Sequence, residues 1–553
     1  MRSLRLGTRG SRLALCQSRL VADRLRAHGI GVEVVTIVSD GDVRAPDAPI
    51  GEGIFVTALE RALAGGEIDL AVHSAKDLPL DEDPRTAVAA YPERADPRDA
   101  LVTRGREASL DELPKGARVG TDSPRRAGFV RSVRPDLEVV ALHGNVDTRL
   151  QRLDSGHADA LVLAAAGLDR LGARARAVRL EPDVMPPAPG QGALAVQVRR
   201  DDAEIAAILA PIDDADVRSA VVAERALLKA MGGGCRAPVG AVAERSGSGF
   251  TLLAGAVTPD GRTRHVLRLT LDGEVAHAVS GAARELNRNV PIRARALIDT
   301  RPERDERLRR AVEGLGFRHL HVPAIEIGDT PNAGGLERAR ARLGEYDWVV
   351  VTSRRGVEAL LDSGVTPPPR VRWAAVGDST AAALRGRGVE AACIPAAATA
   401  AAIPAAMSAL GSLEGARVLL ARADAADGAL PRRLAQLGAV VDDVVAYRTS
   451  TAPSGSRRVL AAALEDPQLE ALIFASGSAV KGLVELSGAA ADTLRRMKVI
   501  TIGPKTSAVA RDHGFVVTKE SDTRDSAGLA AALRSALDEE VERWVASQQR
   551  LPV

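Results

Sequence analysis

An α/β fold in several domains is predicted by three observations. Short apolar runs of strand length alternate with segments of helical periodicity, the second half of the chain repeats itself, and 553 residues exceed what one ordinary domain holds. At roughly 150 residues per domain the length suggests three to four units. Hydrophobic residues make up 46% and charged residues 26%, a globular composition with apolar mass for several cores.

Leu13, Cys16, Leu20, Val21 and Leu25 recur at helical spacing, and VEVVTIV follows as a buried strand. IFVTALERALAGG is an apolar-periodic helix closed by Gly65 and Gly66. DLAVHS is a short strand running straight into AKDLP. ARVG, LEVVAL and ADALVLA are further strands, each followed by a helical segment, so largely parallel sheets are expected. After Pro211 the texture changes. The helix AVVAERALLKAM, the turn Gly232-Gly233-Gly234-Cys235 and short strands up to a helix near Ala283–Asn287 make a small α+β unit. NRNVPIRAR, residues 287–295, reads as a linker between two halves with separate cores.

The second half carries the repeat. RALIDTRPERDERLRRAVEGLG resembles ARVLLARADAADGALPRRLAQLG about 120 residues later. DWVVVTSRRGVEALL resembles EALIFASGSAVKGLVEL, and WAAVGDSTAAALRGRGVE resembles VITIGPKTSAVARDHGF. Two similar strand–helix–strand–helix domains are implied. Ser353, Ser379, Ser476 and Thr506 stand where strands hand over to helices and are good N-cap types. Helix N-termini gathered at the carboxyl ends of parallel strands form an anion-friendly crevice.

Charge excludes several function classes. Lys+Arg 74 against Asp+Glu 72 leaves +2, no field for nucleic acid or an anionic membrane. Aromatics at 2% remove the stacking platforms that single strands need. Only seven basic residues are lysine. GC-rich codon usage and a demand for forked carboxylate or phosphate contacts both explain that. Cys16, Cys235 and Cys393 are too far apart for a disulfide framework or a Cys-x-x-Cys site, and no metal is expected. MRSLRLGTRGSRLALC breaks any apolar run with arginines, so no secretory signal is expected. The longest uncharged stretch, Ala391 to Leu413, is too weakly apolar to span a bilayer. A cytoplasmic chain with neither membrane nor nucleic-acid partner is expected.

Five segments carry the chemistry. TRGS, before the first helix, is either a capping turn with a solvated arginine or an anion site made by Arg9 and Ser11. HSAKD brings three ionisable groups to the end of a buried strand, which packing alone does not explain; the plainer alternative is a Lys76–Asp77 surface pair. In VGTDSPRR, Ser123 is a candidate N-cap and Pro124 sits at N1. Arg125 and Arg126 then fall in the first turn, where the helix dipole disfavours cations unless an anion intervenes. LHGNVDTRL places His143, Asn145 and Arg149 near another helix start. Cys235, in MGGGCRAP, is either a small buried hydrophobe or a thiol whose glycine neighbours admit a bulky covalent group. PGQGALAV matches a dinucleotide fingerprint but follows MPPAP instead of a strand, so nucleotide binding is rejected. There is no Gly-x-Ser-x-Gly elbow, HExxH or Walker A loop.

Together TRGSRLAL, GEGIFVTALE, AVHSAKDLP, ERADPRDA, VGTDSPRRA, LHGNVDTRL, APGQGAL and ERALLKAMGGGCRAPVG closely resemble porphobilinogen deaminase, also called hydroxymethylbilane synthase, over residues 1 to about 285. The second half is similar to uroporphyrinogen-III synthase through LIDTRPE, YDWVVVTS, AAVGDSTAAAL, VVAYRT, FASGSAV and TIGPKTSAVA. The resemblance implies a periplasmic-binding-protein-like two-domain unit (1–94 with 191–212, and 95–190) and a small α+β domain (213–286). After a linker at 287–294 it implies two interleaved parallel α/β domains, 295–328 with 451–545 and 332–447. It also implies conversion of porphobilinogen to hydroxymethylbilane, then to uroporphyrinogen III, by a monomer.

The implied cofactor is a dipyrromethane held covalently by Cys235 and bound by Ser74, Lys76, Thr121, Ser123, Arg125, Arg126 and Gly144. Asp77 would stabilise the cation that forms as ammonia leaves, since a carboxylate places fixed negative charge there. Arg9, Ser11, His143, Arg149 and Gln191 would bind substrate carboxylates in the first half, and Ser353, Ser476 and Thr506 in the second. Tyr447 matches a tyrosine proposed to assist departure of the bilane hydroxyl; a hinge aromatic without chemistry is the alternative. The sequence departs from the family pattern at Glu52 (usually lysine), His143 (usually arginine), Asp122, Pro124 and Ala475. Two rival readings stand: a small-anion binding protein, and a deaminase with a non-catalytic partner domain.

Overall fold

The computed structural model describes residues 3–37, 54–81, 83–105, 107–173, 177–234, 237–292, 294–361, 365–397, 399–424 and 426–549. Cys235 and Glu52 lie outside the described residues. Among the described residues the strands form five sheets.

The first sheet has the order β2 (Val32–Thr36), β1 (Leu4–Thr8), β3 (Leu70–Ser74), β10 (Leu194–Arg199), β4 (Thr86–Ala90). The second has the order β7 (Glu138–Val140), β6 (Arg118–Gly120), β8 (Ala160–Ala164), β5 (Asp99–Thr103), β9 (Ala177–Arg179). Both are mixed, not largely parallel as the sequence suggests: β10 runs antiparallel to β3 and β4, and β5 antiparallel to β8 and β9. The reason lies in the connections. A parallel neighbour requires a long crossover over its own sheet, whereas the chain passes directly from β4 into β5 and re-enters the first sheet as β10. These two passages lie side by side, Ala95 N–H bonding the Gly192 carbonyl at 3.3 Å. Gly192 has φ +87°, and a Cβ there would sit 2.4 Å from the Ala95 oxygen, so only glycine lets the strands of the passage approach.

The third sheet is the antiparallel meander β11 (Val239–Ser246), β12 (Gly249–Val257), β13 (Arg264–Leu271), packed on the helices Ala215–Ala230 and Val275–Asn289. That second helix runs through residues 287–289, so the connection between halves is shorter than the expected linker, and Arg295 already opens β14.

In the second half, β15 (Phe317–His321), β14 (Arg295–Asp299), β21 (Leu469–Phe474), β22 (Lys498–Thr501) and β23 (Val517–Glu520) form a parallel sheet. The other sheet has the order β16 (Ile325–Asp329), β20 (Val440–Thr451), β19 (Arg417–Ala423), β17 (Trp348–Val351), β18 (Arg372–Ala375), with β16 alone antiparallel. The chain thus begins one sheet, completes the other and returns, with Ile325 opposite Thr451 where the two passages meet. The internal repeat reaches the backbone angles. Ser353 (φ −161°, ψ 159°) and Ser476 (φ −160°, ψ 157°) both cap helices with their side chains.

Ser379 and Thr506 are not caps. Gly377 and Gly503 hold those positions in extended conformation, placing Ser379 and Thr506 inside the first turns of Asp378–Arg385 and Pro504–Asp512. Each half keeps hydrophobic clusters of its own, as expected, but one cluster of the first half also takes in the end of the last helix. The last helix, Ser526–Gln549, packs Leu529, Leu533 and Leu537 against β14, β21 and β22, and then Val541, Trp544 and Val545 against the third sheet's cluster. Its apolar stripe at three- and four-residue spacing continues past the first partner and meets a second. Among the described residues no helix is long and apolar enough to cross a membrane.

Candidate active site

β3 is buried from Leu70 to His73 because it lies inside the first sheet, and it ends in the turn Ala75–Asp77. The turn buries Ala75, leaves Lys76 half-buried and exposes Asp77. His73, at the strand's end, is pushed down to about 4 by burial, against a Gln197 hydrogen bond and with help from the Arg9 charge. It is neutral at ordinary pH, and Arg9 therefore lies within electrostatic reach of this strand end. Ser74 Oγ accepts from Gln17 Nε2 at 2.9 Å.

Lys76 donates to Gln191 Oε1 at 3.3 Å, and Arg126 Nη2 donates to the same oxygen at 3.2 Å. Gln191 in turn donates to the Pro97 carbonyl (2.8 Å) and Asp99 Oδ1 (3.0 Å). Asp99, completely buried, accepts from Arg125 Nη1 at 2.6 Å and from Arg126 Nε and Nη2 at 3.0 and 2.7 Å. Burial alone would push its carboxyl up; Arg125 and Arg126 override that and hold it far below the usual carboxylate range. The anion that the first-turn arginines demand is thus supplied by the chain itself. Lys76 is lowered to about 8, first by burial and then by Arg126, with Asp77 and Asp99 opposing.

The helix Pro124–Val133 begins as the sequence indicates: Ser123 accepts from Arg126 N, Pro124 is at N1, and Thr121 Oγ1 accepts from Ser123 N at 3.2 Å. Ser11 likewise caps Arg12–Ala27 by accepting from Ala14 N. Gly144 has φ +107°, and its carbonyl accepts from Arg149 Nε at 2.8 Å. Asp122 Oδ2 is shared by His143 Nδ1 (2.9 Å) and Arg149 Nη2 (3.3 Å). Two departures from the family pattern, Asp122 and His143, are therefore partners of each other. Arg12 meets Asp147 at 2.9 Å, so the starts of helices from both sheets face one another.

Two expected groups take other places. Gln191 is fully buried with its amide engaged on both sides, so it ties the two sheets together instead of facing substrate. Arg125 is 3% exposed and directs one amine at both Asp99 and the Pro186 carbonyl. Two residues of the site are missing from the expectation: Asp99 and Glu224. Glu224, fully buried, accepts both Arg94 amines (2.6 and 2.9 Å) and the Gly190 N–H (2.6 Å), fixing the PGQG turn. That turn presses on the Asp77 segment, since a Cβ on Gly190 (φ +75°) would lie 3.2 Å from Lys76 N. The signal for Asp99 was its place in ERADPRDA, as a lone carboxylate opening an apolar strand.

Before the undescribed Cys235, the helix Ala215–Ala230 ends in Met231–Gly234, where a Cβ on Gly233 would meet Ala237 Cβ at 2.5 Å. In the second half the register carries Val351 opposite Ala421 and Ala423 opposite Tyr447. Ser353, two residues beyond Val351, therefore lies at the same carboxyl edge as half-buried Tyr447. Ser476 lies beyond Phe474 at the corresponding edge of the other sheet, and Thr506 is buried.

The family model described as porphobilinogen deaminase, dipyromethane cofactor binding domain, matches residues 4–207, and the porphobilinogen deaminase C-terminal domain matches residues 219–284. The uroporphyrinogen-III synthase HemD model matches residues 306–531. A porphobilinogen deaminase of Acidothermus cellulolyticus is 52% identical over 276 residues, covering 48% of this chain and 83% of that protein. One from Mycobacterium tuberculosis is 48% identical over 299 residues, 52% of this chain and 94% of that protein. Among solved structures, a mutant uroporphyrinogen III synthase of Thermus thermophilus is similar at 22% identity and TM-score 0.35, covering 44% of this chain and 99% of that one. The chain belongs to the porphobilinogen deaminase family through its first half and carries a uroporphyrinogen-III synthase domain in its second.

Proposed function

We propose that the cleft around Asp77 condenses four porphobilinogen molecules head to tail into hydroxymethylbilane, with Asp77 as the catalytic carboxylate. The two enzyme domains make the chain a bifunctional enzyme of tetrapyrrole biosynthesis, the second closing hydroxymethylbilane to uroporphyrinogen III with inversion of the last ring. The observation that carries the assignment is the exposed Asp77 on a turn whose neighbour Lys76 is wired through Gln191 to Asp99, Arg125 and Arg126. A mobile surface pair would not be held this way.

As ammonia leaves porphobilinogen, positive charge develops on the pyrrole, and Asp77 offers a fixed negative charge there. Lys76, Arg9 and Arg149 receive acetate and propionate groups, for which forked or point cations are suited. Asp99 keeps Arg126 oriented, and Glu224 keeps the PGQG turn against β3. The donor set fits a dipyrromethane bearing carboxylates: Lys76, Arg126 and Arg149 with the hydroxyls of Ser74, Thr121 and Ser123, and a glycine at 144 with positive φ. When bound through Cys235, the dipyrromethane supplies the primer to which pyrrole units are added. We place the reaction in the cytoplasm, on small-molecule substrates, in a monomer. The five sheets we take as five domains: the first two as a binding-protein-like clamp, the last two as interleaved synthase domains.

A small-anion binding protein leaves an exposed carboxylate in a cationic cleft without purpose. The experiment is an intact mass. It should exceed the encoded 57.8 kDa by two linked pyrrole units and return to the encoded value in Cys235→Ser. An unmodified mass in fully active protein overturns the cofactor assignment.

A further inference from the structure

The segment Ala75–Leu80, which carries Lys76 and Asp77, is held from behind. Arg225, buried in the helix Ala215–Ala230, donates to the carbonyls of Ala75 (2.9 Å), Leu78 (3.0 Å) and Pro79 (2.9 Å). The next carbonyl, Leu80, accepts from the indole N–H of Trp544 at 3.0 Å. The Arg225 guanidinium also lies over the Trp544 ring, 5.9 Å from its centroid, within cation–π range. Trp544 is 9% exposed and belongs to the cluster of Leu227, Leu228, Met231 and Val279, against which Leu80 packs.

Trp544 belongs to the synthase half by connectivity. The same helix buries Leu529, Leu533 and Leu537 against Leu297, Phe317 and Ile500. Its crossing to the first half is pinned by charge. Glu540 reaches Lys498 of the second half and Lys229 of the first, both at 3.1 Å, and Lys229 also reaches Asp81 at 2.9 Å. Asp538 meets Arg284 at 2.7 Å. Burial pushes Glu540 up, yet Lys498 and Lys229 hold it at about 2, so it stays ionised across the working pH range. A helix anchored at one end in the synthase sheet therefore reaches, near its other end, the Leu80 carbonyl three residues past the turn that carries Asp77.

We propose that Trp544 is a positioning residue of the first reaction: through the Leu80 carbonyl and the face of Arg225 it fixes the turn that presents Asp77, so the synthase half supports the deaminase's catalytic geometry. This rests on the assignment of Asp77 above. The brace acts on the turn that carries Asp77, and of the cations proposed to hold substrate carboxylates only Lys76 lies on that turn while Arg9 and Arg149 lie elsewhere, so it governs turnover more than binding.

The test is steady-state deaminase kinetics in the full-length holoenzyme. Trp544→Ala should lower kcat for porphobilinogen consumption about tenfold with KM within about twofold, since small misplacements of a catalytic group are costly. Trp544→Phe, which keeps an aromatic face under Arg225, should recover most of the loss. Arg543→Ala, on the exposed side of the same helix (68% side-chain exposure), should leave kcat unchanged. Conversion of supplied hydroxymethylbilane should be unaltered in all three. If Trp544→Ala does not fold, Trp544→Leu carries the same prediction, because it keeps apolar bulk and loses both the N–H and the ring. A purely structural role would lower Tm while leaving kcat per folded molecule at the wild-type value, and that result overturns the proposal. Asp77→Asn, assayed alongside, separates the two readings. Full activity there overturns the role of Asp77, whereas an inactive Asp77→Asn with wild-type kcat in Trp544→Ala overturns the brace alone.

Discussion

Replacing Asp99 by alanine removes the carboxylate that accepts from two buried guanidinium groups. Asp99 is wholly buried, Arg125 and Arg126 are 3% and 6% exposed, and water cannot take the place of the lost oxygens without opening the site. Removing one partner of a buried ion pair costs about 3–5 kcal/mol, because the remaining charge is left uncompensated. At about 2–4 °C in Tm per kcal/mol, the unfolding transition that includes this site should fall by about 6–20 °C. Asp99→Asn keeps an acceptor for one arginine and should lose less. It carries a second expectation. Asp99 is one of two carboxylates that hold Lys76 up against burial and Arg126. Without that charge, Lys76 should lose its proton below the present value of about 8, and KM for porphobilinogen should begin to rise at lower pH. Calorimetry of both variants, with KM measured against pH for Asp99→Asn, tests both. A Tm shift of Asp99→Ala below about 2 °C, together with a wild-type pH profile of Asp99→Asn, would refute the view that this buried carboxylate organises the site.

The remaining expectations follow from the same geometry. In the wild type Lys76 is charged below about 8 and neutral above it, so KM for porphobilinogen should climb as pH rises through that value, and Lys76→Arg should flatten the climb; a flat wild-type profile would contradict it. Asp122→Ser frees Arg149 and His143 from their internal acceptor and should lower KM a few-fold, whereas a raised KM would show that Asp122 aims Arg149. His143→Arg places a fixed cation beside Asp122 and should lower KM for porphobilinogen, and an unchanged KM would show that charge at 143 does not matter. Tyr447→Phe should slow closure of supplied hydroxymethylbilane without changing porphobilinogen consumption; unchanged closure kinetics favour the hinge alternative.

What the sequence made legible was local. The caps at Ser11, Ser123, Ser353 and Ser476 follow from a residue type and the few positions after it, and all four accept the expected backbone N–H. Ser379 and Thr506 fail for a reason of the same scale: the strand-to-helix turn puts an extended glycine at the cap and pushes the hydroxyl residue into the helix. Long-range partners were not legible. Asp99 lies 26 and 27 residues from its arginines and Glu224 lies 130 from Arg94, and no periodicity relates such positions. The last helix's double attachment escaped for a third reason. The stripe Leu533, Leu537, Val541, Trp544 reads as one amphipathic helix, and nothing in its spacing reveals that its two ends meet different sheets. The cleft's cationic character was legible because cations in a helix's first turn violate a simple electrostatic preference. That the nearest anion would be the protein's own Asp99 was not.

The central claim is that one chain performs both steps, and product isomer analysis tests it most directly. Purified protein is supplied with porphobilinogen alone, and the oxidised porphyrins are separated by isomer. The account predicts the type III isomer, with its inverted ring, as the main product from wild type. Cys235→Ser should form none from porphobilinogen yet give the type III isomer from supplied hydroxymethylbilane. Wild-type protein that consumes porphobilinogen but yields only the uninverted type I isomer would contradict the account, because hydroxymethylbilane would then be closing without help from the second half.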